Sequence, residues 1–428
     1  MQSADVAWML VATALVLLMT PALGFFYGGL VRGKNALNTL MMSFAALGCV
    51  GVSWALLGYS LAFAPGSALL GDARFALLRG VGLEAQGTIP HLLFMAYQGS
   101  FAVITAALVS GAIVERMRFP AYLAFIAAWS LLVYAPVAHW VWGGGFLAGL
   151  GALDFAGGTV VHVNAAAAAL VAALVLGPRK DYARQAMLPH NVPFTLLGAG
   201  LLLFGWFGFN AGSALGANPA AALAFVNTLL APAATLVAWT LLDLGRTGRV
   251  TAVGAATALV VGLVAVTPAA GLVGPLSALA IGALAAVPSY FTLLWRARTR
   301  LDDSLDVVAA HGIGGAVGAL LTGIFADERW GSPANGLLFG APAQLGVQLV
   351  AILVALAWSA GASFVLLKLL GLLLPLRASL RDEGMGLDVS QHGEEAYAHD
   401  EGAILILPEP AEQPALALAP LGAEGGRS

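Results

Sequence analysis

Long apolar runs recur along this chain, and they leave it few folds to choose from. Each is about 20 residues long, enough to cross a hydrocarbon core of roughly 30 Å as a helix. Inside that core every backbone N–H and C=O must find its partner within the protein, so a spanning segment is a helix or a strand of a closed barrel. Continuous runs of this length, without period-two alternation, read as helices. They are expected near 5–30, 37–63, 91–114, 120–141, 158–177, 193–211, 219–243, 251–268, 271–295, 306–325 and 342–374. The last is long enough to tilt or to continue beyond the bilayer. The start, "MQSADVAWML", lacks the basic residues of a signal-peptide n-region, so 5–30 reads as a retained first span.

The fold expected is therefore an all-α integral membrane protein. Only 10% of the residues are charged, where a soluble domain carries about 25%. The 53 glycines suit helices that approach one another closely. The single cysteine, Cys49, has no partner in the chain and reads as a small packing residue. Residues 1–375 form the membrane domain and 376–428 a tail, of which the Pro/Ala/Gly-rich 408–428 reads as disordered.

Basic residues orient the spans. Arg32 and Lys34 follow the first, Arg116 and Arg118 the third, and Arg179, Lys180 and Arg184 the fifth. Arg246 and Arg249 follow the seventh, Arg296, Arg298 and Arg300 the ninth, and Arg377 and Arg381 the eleventh. The loops after even spans hold only Arg74, Arg79 and Arg329. By the positive-inside rule the odd exits are cytoplasmic, which places the N-terminus outside and the tail inside.

A weak internal echo accompanies this count. "GFFYGGLVRGKNALNTL" (24–40) resembles "GWFGFNAGSALGANPAAALAFVNTL" (205–229), and "HVNAAAAAL" from His162 resembles "HGIGGAVGAL" from His311. Spans one to five and six to ten thus read as two copies, inverted because five is odd. Repeats of this kind hold their substrate near the midplane, between the halves.

The spans contain almost no Lys, Arg, Asp or Glu away from their ends. The ionisable groups at depth are His162 and His311, at matched positions. Either alone reads equally well as a packing residue. As a facing pair they point to function, because intramembrane ionisable groups mark substrate pathways. Two neutral rings share one hydrogen and offer a donor and an acceptor to a small polar guest. A metal would need a third ligand, and the chain has no HxxxH motif and no cysteine cluster. No metal, cofactor or catalytic residue is expected.

Aromatic residues gather at the outer exits: Trp140 and Trp142, then Trp206, Phe207, Phe209 and Ser213, with Phe101 in mid-helix. Singly they read as interface anchors or core. Together they suit an outer vestibule for a small cation, with indole faces and a serine acceptor.

The stretches "VWGGGFLAGLGALDFAGGTVVHVNAA", "GWFGFNAGSA", "VTPAAG" and "DVVAAHGIGGAVG" are similar to the ammonium transporter family (Amt/Mep/Rh), closest to its bacterial ammonium transporter branch. The likeness runs to about residue 403 and includes the tail motif "GLDVSQHGEEAYA". It implies eleven helices, two inverted five-helix halves plus an eleventh, assembled as a trimer with one pore per subunit. It also implies a recruitment site at Trp142, Ser213 and Phe101, a phenylalanine gate at Phe101 and Phe209, and the twin histidines His162 and His311. Asp154 falls on the family's structural acid, and Trp206 and Thr267 on further pore positions. Even without the likeness, Asp154 can cap the start of the fifth helix. The tail, with Asp388, Ser390, His392, Glu394, Glu395 and Tyr397, is expected to answer a cytoplasmic PII-type signal protein. The substrate expected is ammonium, captured as the cation and passed as ammonia, with or without a relayed proton. An Rh-type gas channel, an ammonium sensor and an intramembrane metalloenzyme are the rival readings. Trp142 with Ser213, the short tail and the missing metal ligands argue against them in turn.

Overall fold

The computed structural model describes residues 1–397. The segment 408–428, expected to be disordered, lies outside them. The described residues form a bundle with eleven apolar helical segments: α1 (Ser3–Leu30), α2 (Gly33–Phe63), α3 (His91–Ala112), α4 (Phe119–Leu150), α5 (Gly158–Leu176), α6 (Val192–Gly212), α7 (Pro219–Thr247), α8 (Ala252–Val266), α9 (Pro275–Arg296), α10 (Val308–Phe325) and α11 (Ala343–Leu373). Among the described residues ten are long and apolar enough to cross a bilayer. The eighth, α8, has 15 residues, about 22 Å of helix. It gives way to a 3-10 turn, Thr267–Ala269. Pro268 lies in that turn, and its ring blocks continued α geometry.

With so little charge to place, the helices are joined by small and polar side chains. Thr235 of α7 donates to Gly282 O of α9 at 2.8 Å, and Asn227 donates to Ala270 O and Val273 O, each at 2.8 Å. Interhelical bonds of this kind contribute about 0.6 kcal/mol each. Two buried cores result. A large one runs through α1–α6 and α11, and a second is formed by α7–α9 with Val317, Leu321 and Phe325 of α10.

α5 and α10 share a local irregularity. Each begins with a π-helical segment, Gly158–Val163 and Val308–Ile313, which contains its histidine. Each is preceded by a carboxylate eight residues ahead of that histidine. Asp154 accepts from the N–H groups of Gly157, Gly158, Thr159 and Val160 at 2.6–3.0 Å. Asp303 accepts from Val307 and Val308 at 3.1 and 2.7 Å. π-segments collect at functional sites because the wide turn re-aims a side chain.

The loops after α1, α3, α5, α9 and α11 meet on one face. Glu115, after α3, takes Arg32 (after α1) at 2.9 Å and Arg179 (after α5) at 2.9 Å. Arg179 also forks onto Asp302, before α10, at 2.9 and 2.8 Å. Burial alone would raise the Glu115 carboxyl, but Arg179 and Arg32 prevail and hold it below its usual range. Asp302 is held low in the same way by Arg179. The tail docks here as two short helices, α12 (Leu380–Met385) and α13 (Leu387–His392). Glu383 receives Arg377 Nε at 2.6 Å, and Asp388 caps α2 by accepting from Leu37 and Asn38 at 3.0 and 2.7 Å.

Candidate functional site

Three cavities follow one another through the bundle, and their walls come from different helices. At the opposite end from the ionic face lies a vestibule of about 290 Å³, lined by Phe63, Phe94, Gln98, Phe101, Val141, Trp142, Phe155, Ser213 and Leu215. α4 is interrupted just after Val141, which leaves Trp142 at the break. Its indole N–H donates to the backbone oxygen of Asp154 at 2.8 Å, and its ring stands edge-on to Phe101, 5.9 Å away. Asp154 therefore ties two parts together: its carboxylate holds the start of α5 and its carbonyl holds Trp142. Burial pushes that carboxyl above its usual range even against four N–H donors. Ser213 uses its O–H on Phe209 O at 2.9 Å. Its lone pairs are thus turned to acceptance. Tyr97 Oη lies 3.3 Å from Ser213 Oγ and 3.0 Å from the Gly208 and Phe209 carbonyls, which fixes the end of α6.

Phe101 and Phe209 close the floor of the vestibule. Their ring centroids are 4.3 Å apart, and both are buried. Below them a slit of about 10 Å³ is lined by Met19, Leu23, Phe26, Ile104, Leu108, Val161, His162, Leu202, Trp206, Phe209, Val260 and His311. Such a volume holds about one water-sized molecule. The wall carries no carboxylate and no Lys or Arg. Trp206 stacks on His162 at 5.4 Å and commits its N–H to Thr267 Oγ1 at 2.9 Å.

The two imidazoles are nearly parallel, 5.2 Å between centroids, with Nδ1 to Nδ1 at 3.2 Å. Only one hydrogen fits between two Nδ1 atoms, so one ring donates and the other accepts. In the neutral pair the donor ring keeps a lone pair on Nε2, while the acceptor ring carries its N–H there. The pair thus presents one acceptor and one donor beyond the shared bond. His162 Nε2 is buried and has no partner among the described residues. His311 also lines the next chamber, about 380 Å³, which opens toward the ionic face beside Tyr27, Arg179, Arg296 and Asp306.

Of the sequence-predicted residues, Phe101, Trp142, Ser213, Phe209, His162, His311, Trp206 and Thr267 line or adjoin one track, and Asp154 braces it. Three aromatic placements differ from expectation. Trp206 lies below the phenylalanine pair rather than at an outer exit. Trp140 faces away from the vestibule, packed on Phe146 and Trp358 with its N–H on Leu69 O. Phe207 stacks on Phe225 at the bundle's outer surface. His139 braces loops through Ala62 O and Ser67 O. Among the described residues no group of three His, Cys, Asp or Glu is placed to hold a metal. In the tail, His392 Nε2 accepts from Asn38 at 3.0 Å, Ser390 donates to Gly386 O at 2.8 Å, and Tyr397 meets His190 at 3.1 Å.

Sequence reading missed Gln98, Phe63, Phe94, Phe155, Tyr97 and the acid Asp303. Only Asp303 had a signal: it stands as far ahead of His311 as Asp154 stands ahead of His162.

Comparison with known proteins gives a consistent result. The sequence profile described as Ammonium Transporter Family matches residues 7–397. The chain is 46% identical over 402 residues to the ammonium transporter of Bacillus subtilis, covering 93% of this chain and 99% of the relative. It is 48% identical over 404 residues to the ammonium transporter of Aquifex aeolicus, covering 93% and 94%. Among solved structures, Candida albicans Mep2 superposes with a TM-score of 0.81 at 37% identity, covering 85% of this chain and 83% of that one. A protein described as a sensor Amt protein gives a TM-score of 0.85 at 30% identity, covering 91% and 98%.

Proposed function

The chain belongs to the ammonium transporter family, and on that premise we propose that it takes ammonium at the aromatic vestibule and passes it inward as ammonia. It is a multi-pass membrane protein of a transporter family. The observation that carries the reading is the slit below Phe101 and Phe209: narrow, without a counter-charge, and polar mainly at two facing imidazoles.

A charged group at the bilayer centre costs roughly 3 kcal/mol on translocon scales and 10 or more in simulations. A cation over an indole face gains about 2 kcal/mol when desolvated. Trp142, Phe101 and Ser213 therefore suffice to collect the cation at the mouth but not to carry it through. The proton is left above the phenylalanine pair, and the neutral molecule slips past when the rings part. In the slit, ammonia accepts from the free Nε2–H of one histidine and donates to the bare Nε2 of the other. The shared Nδ1 hydrogen also offers the relay by which a proton could follow. Potassium is excluded because it has no proton to leave behind.

The eleven-helix topology with inverted halves is supported by the paired π-segments and their paired acids. The ionic face is the cytoplasmic one: it gathers the basic odd-numbered loops, and the N-terminus is then outside. The assembly is a homotrimer with one pore per subunit. The docked tail, with Asp388, Ser390, His392 and Tyr397, is the receiving surface for a cytoplasmic PII-type signal protein. Residues 1–375 are the transport domain and 376 onward the regulatory tail.

The reading is tested with proteoliposomes holding a pH dye. An inward ammonium gradient should alkalinise the lumen in wild type, and Trp142→Leu should raise the ammonium concentration for half-maximal rate about tenfold. Acidification of the lumen on ammonium addition would mean that the intact cation crosses.

A further inference from the structure

Beyond the residues already placed, the vestibule holds one polar group that nothing in the protein uses. Gln98 is 9% exposed and lines the vestibule. Its carboxamide carries an acceptor oxygen and two N–H donors. None of them has a hydrogen-bond partner among the described residues. The side chain is mostly enclosed while its amide stays open to the chamber, and a polar group left free on the wall of a ligand chamber points to a ligand.

Its position suits that role. Gln98 lies three residues before Phe101 on α3, so the two share a helix face one turn apart. The walls otherwise consist of Phe63, Phe94, Phe101, Val141, Trp142, Phe155 and Leu215, with Ser213 as the second polar side chain. Ammonium has four N–H groups. Aromatic faces satisfy its charge without regard to direction, whereas an N–H is satisfied only by a directed lone pair. Ser213 Oγ supplies one.

We propose that Gln98 Oε1 is the second directed acceptor for the cation, and that its neutrality keeps the vestibule from trapping what it collects. The inference rests on the vestibule reading above and adds the residue that tells an N–H-bearing cation from one without. A carboxylate here would bind the cation more tightly. It would also stabilise the charged form against loss of the proton and slow passage.

The test uses the full chain in proteoliposomes holding a pH dye, with ammonium as substrate and tetramethylammonium, which has no N–H, as competitor. Gln98→Met keeps the length and removes the acceptor. It should raise the half-saturation concentration for ammonium about tenfold, the loss of one hydrogen bond to a charged donor. The effect should fall more on half-saturation than on the maximal rate of alkalinisation, and tetramethylammonium inhibition should shift less than about twofold. Gln98→Glu should lower both the half-saturation concentration and the maximal rate. Equal shifts for both cations in Gln98→Met would mean that Gln98 only shapes the cage, and would overturn the proposal. So would an unchanged ammonium constant in Gln98→Met while Trp142→Leu weakens both cations, with the vestibule reading left standing. If Trp142→Leu moves neither constant, the vestibule reading fails, and Gln98 fails with it.

Discussion

Replacing Asp154 by asparagine removes one charge and almost no volume, so its effect isolates what the carboxylate does. Oδ1 accepts from Gly157 and Gly158, and Oδ2 from Thr159 and Val160, all within 3.0 Å. The amide of asparagine keeps one of these oxygens and turns two N–H donors toward the other pair. Two buried backbone N–H groups thus lose their acceptor, at about 1–3 kcal/mol each. Loss of charge at the positive end of α5 adds about 0.5–2 kcal/mol. The sum is roughly 2–8 kcal/mol, large enough to move the thermal midpoint by several degrees. The damage also reaches transport, because the indole N–H of Trp142 rests on the carbonyl of the same residue. Melting in detergent followed by tryptophan fluorescence, and half-saturation for ammonium in proteoliposomes, report the two effects. Asp154→Asn is expected to lower the midpoint and to raise half-saturation, and Asp154→Ala to abolish transport in protein that still folds. An unchanged midpoint with unchanged transport would refute the brace. A lowered midpoint with normal half-saturation would reduce Asp154 to a helix cap.

The ionic face gives a pH dependence of definite sign. Glu115 is held below its ordinary value of 4.5, so its contribution is full above that value and is lost as pH falls through the lower folded one. The Glu115 contribution, read as the midpoint difference between wild type and Glu115→Gln, should be constant from pH 8 to about 5 and shrink below that; the substitution, which leaves two arginines short of a buried partner, should cost about 3–5 kcal/mol at pH 7. A midpoint for Glu115→Gln within about 2 °C of wild type at pH 7 would contradict this. In the tail, burial lowers the pKa of His392 from 6.5, where it faces the Asn38 amide and the Phe119 ring. The docked state takes up the proton less readily than the released state, so docking is full above about pH 6.5 and weakens below it. Limited proteolysis of the tail should be faster at pH 5.5 than at pH 7.5, and an equal rate at both would remove His392 from the latch.

How much of this was legible in the sequence depends on the physics behind each residue. The helices were legible because hydrocarbon thickness sets their length, and their ends fell close to the apolar runs. α8 came out shorter because a proline turn, rather than a loss of apolar character, ends it. His162 and His311 were legible because a polar ring inside an apolar run stands out, and the repeat paired them. The aromatics were harder. Trp140 and Trp142 are two residues apart, about 200° around a helix, so only one of them can face the vestibule. The same holds for Phe207 and Phe209. Hydropathy does not say which. Gln98 was illegible because an ordinary glutamine becomes informative only when its missing partners can be seen. The pairing of Glu115 with Arg32 and Arg179 joins loops far apart in sequence, and nothing local encodes it.

The most direct measurement places wild type and the His162→Ala/His311→Ala double variant side by side in proteoliposomes holding a pH dye and a potassium-sensitive dye, with ammonium and potassium pulses. If the neutral molecule passes by way of the imidazole pair, wild type responds to ammonium and not to potassium. The double variant then loses the ammonium response or begins to conduct potassium. A wild-type potassium influx comparable with the ammonium response, or a double variant with wild-type selectivity, would contradict the mechanism.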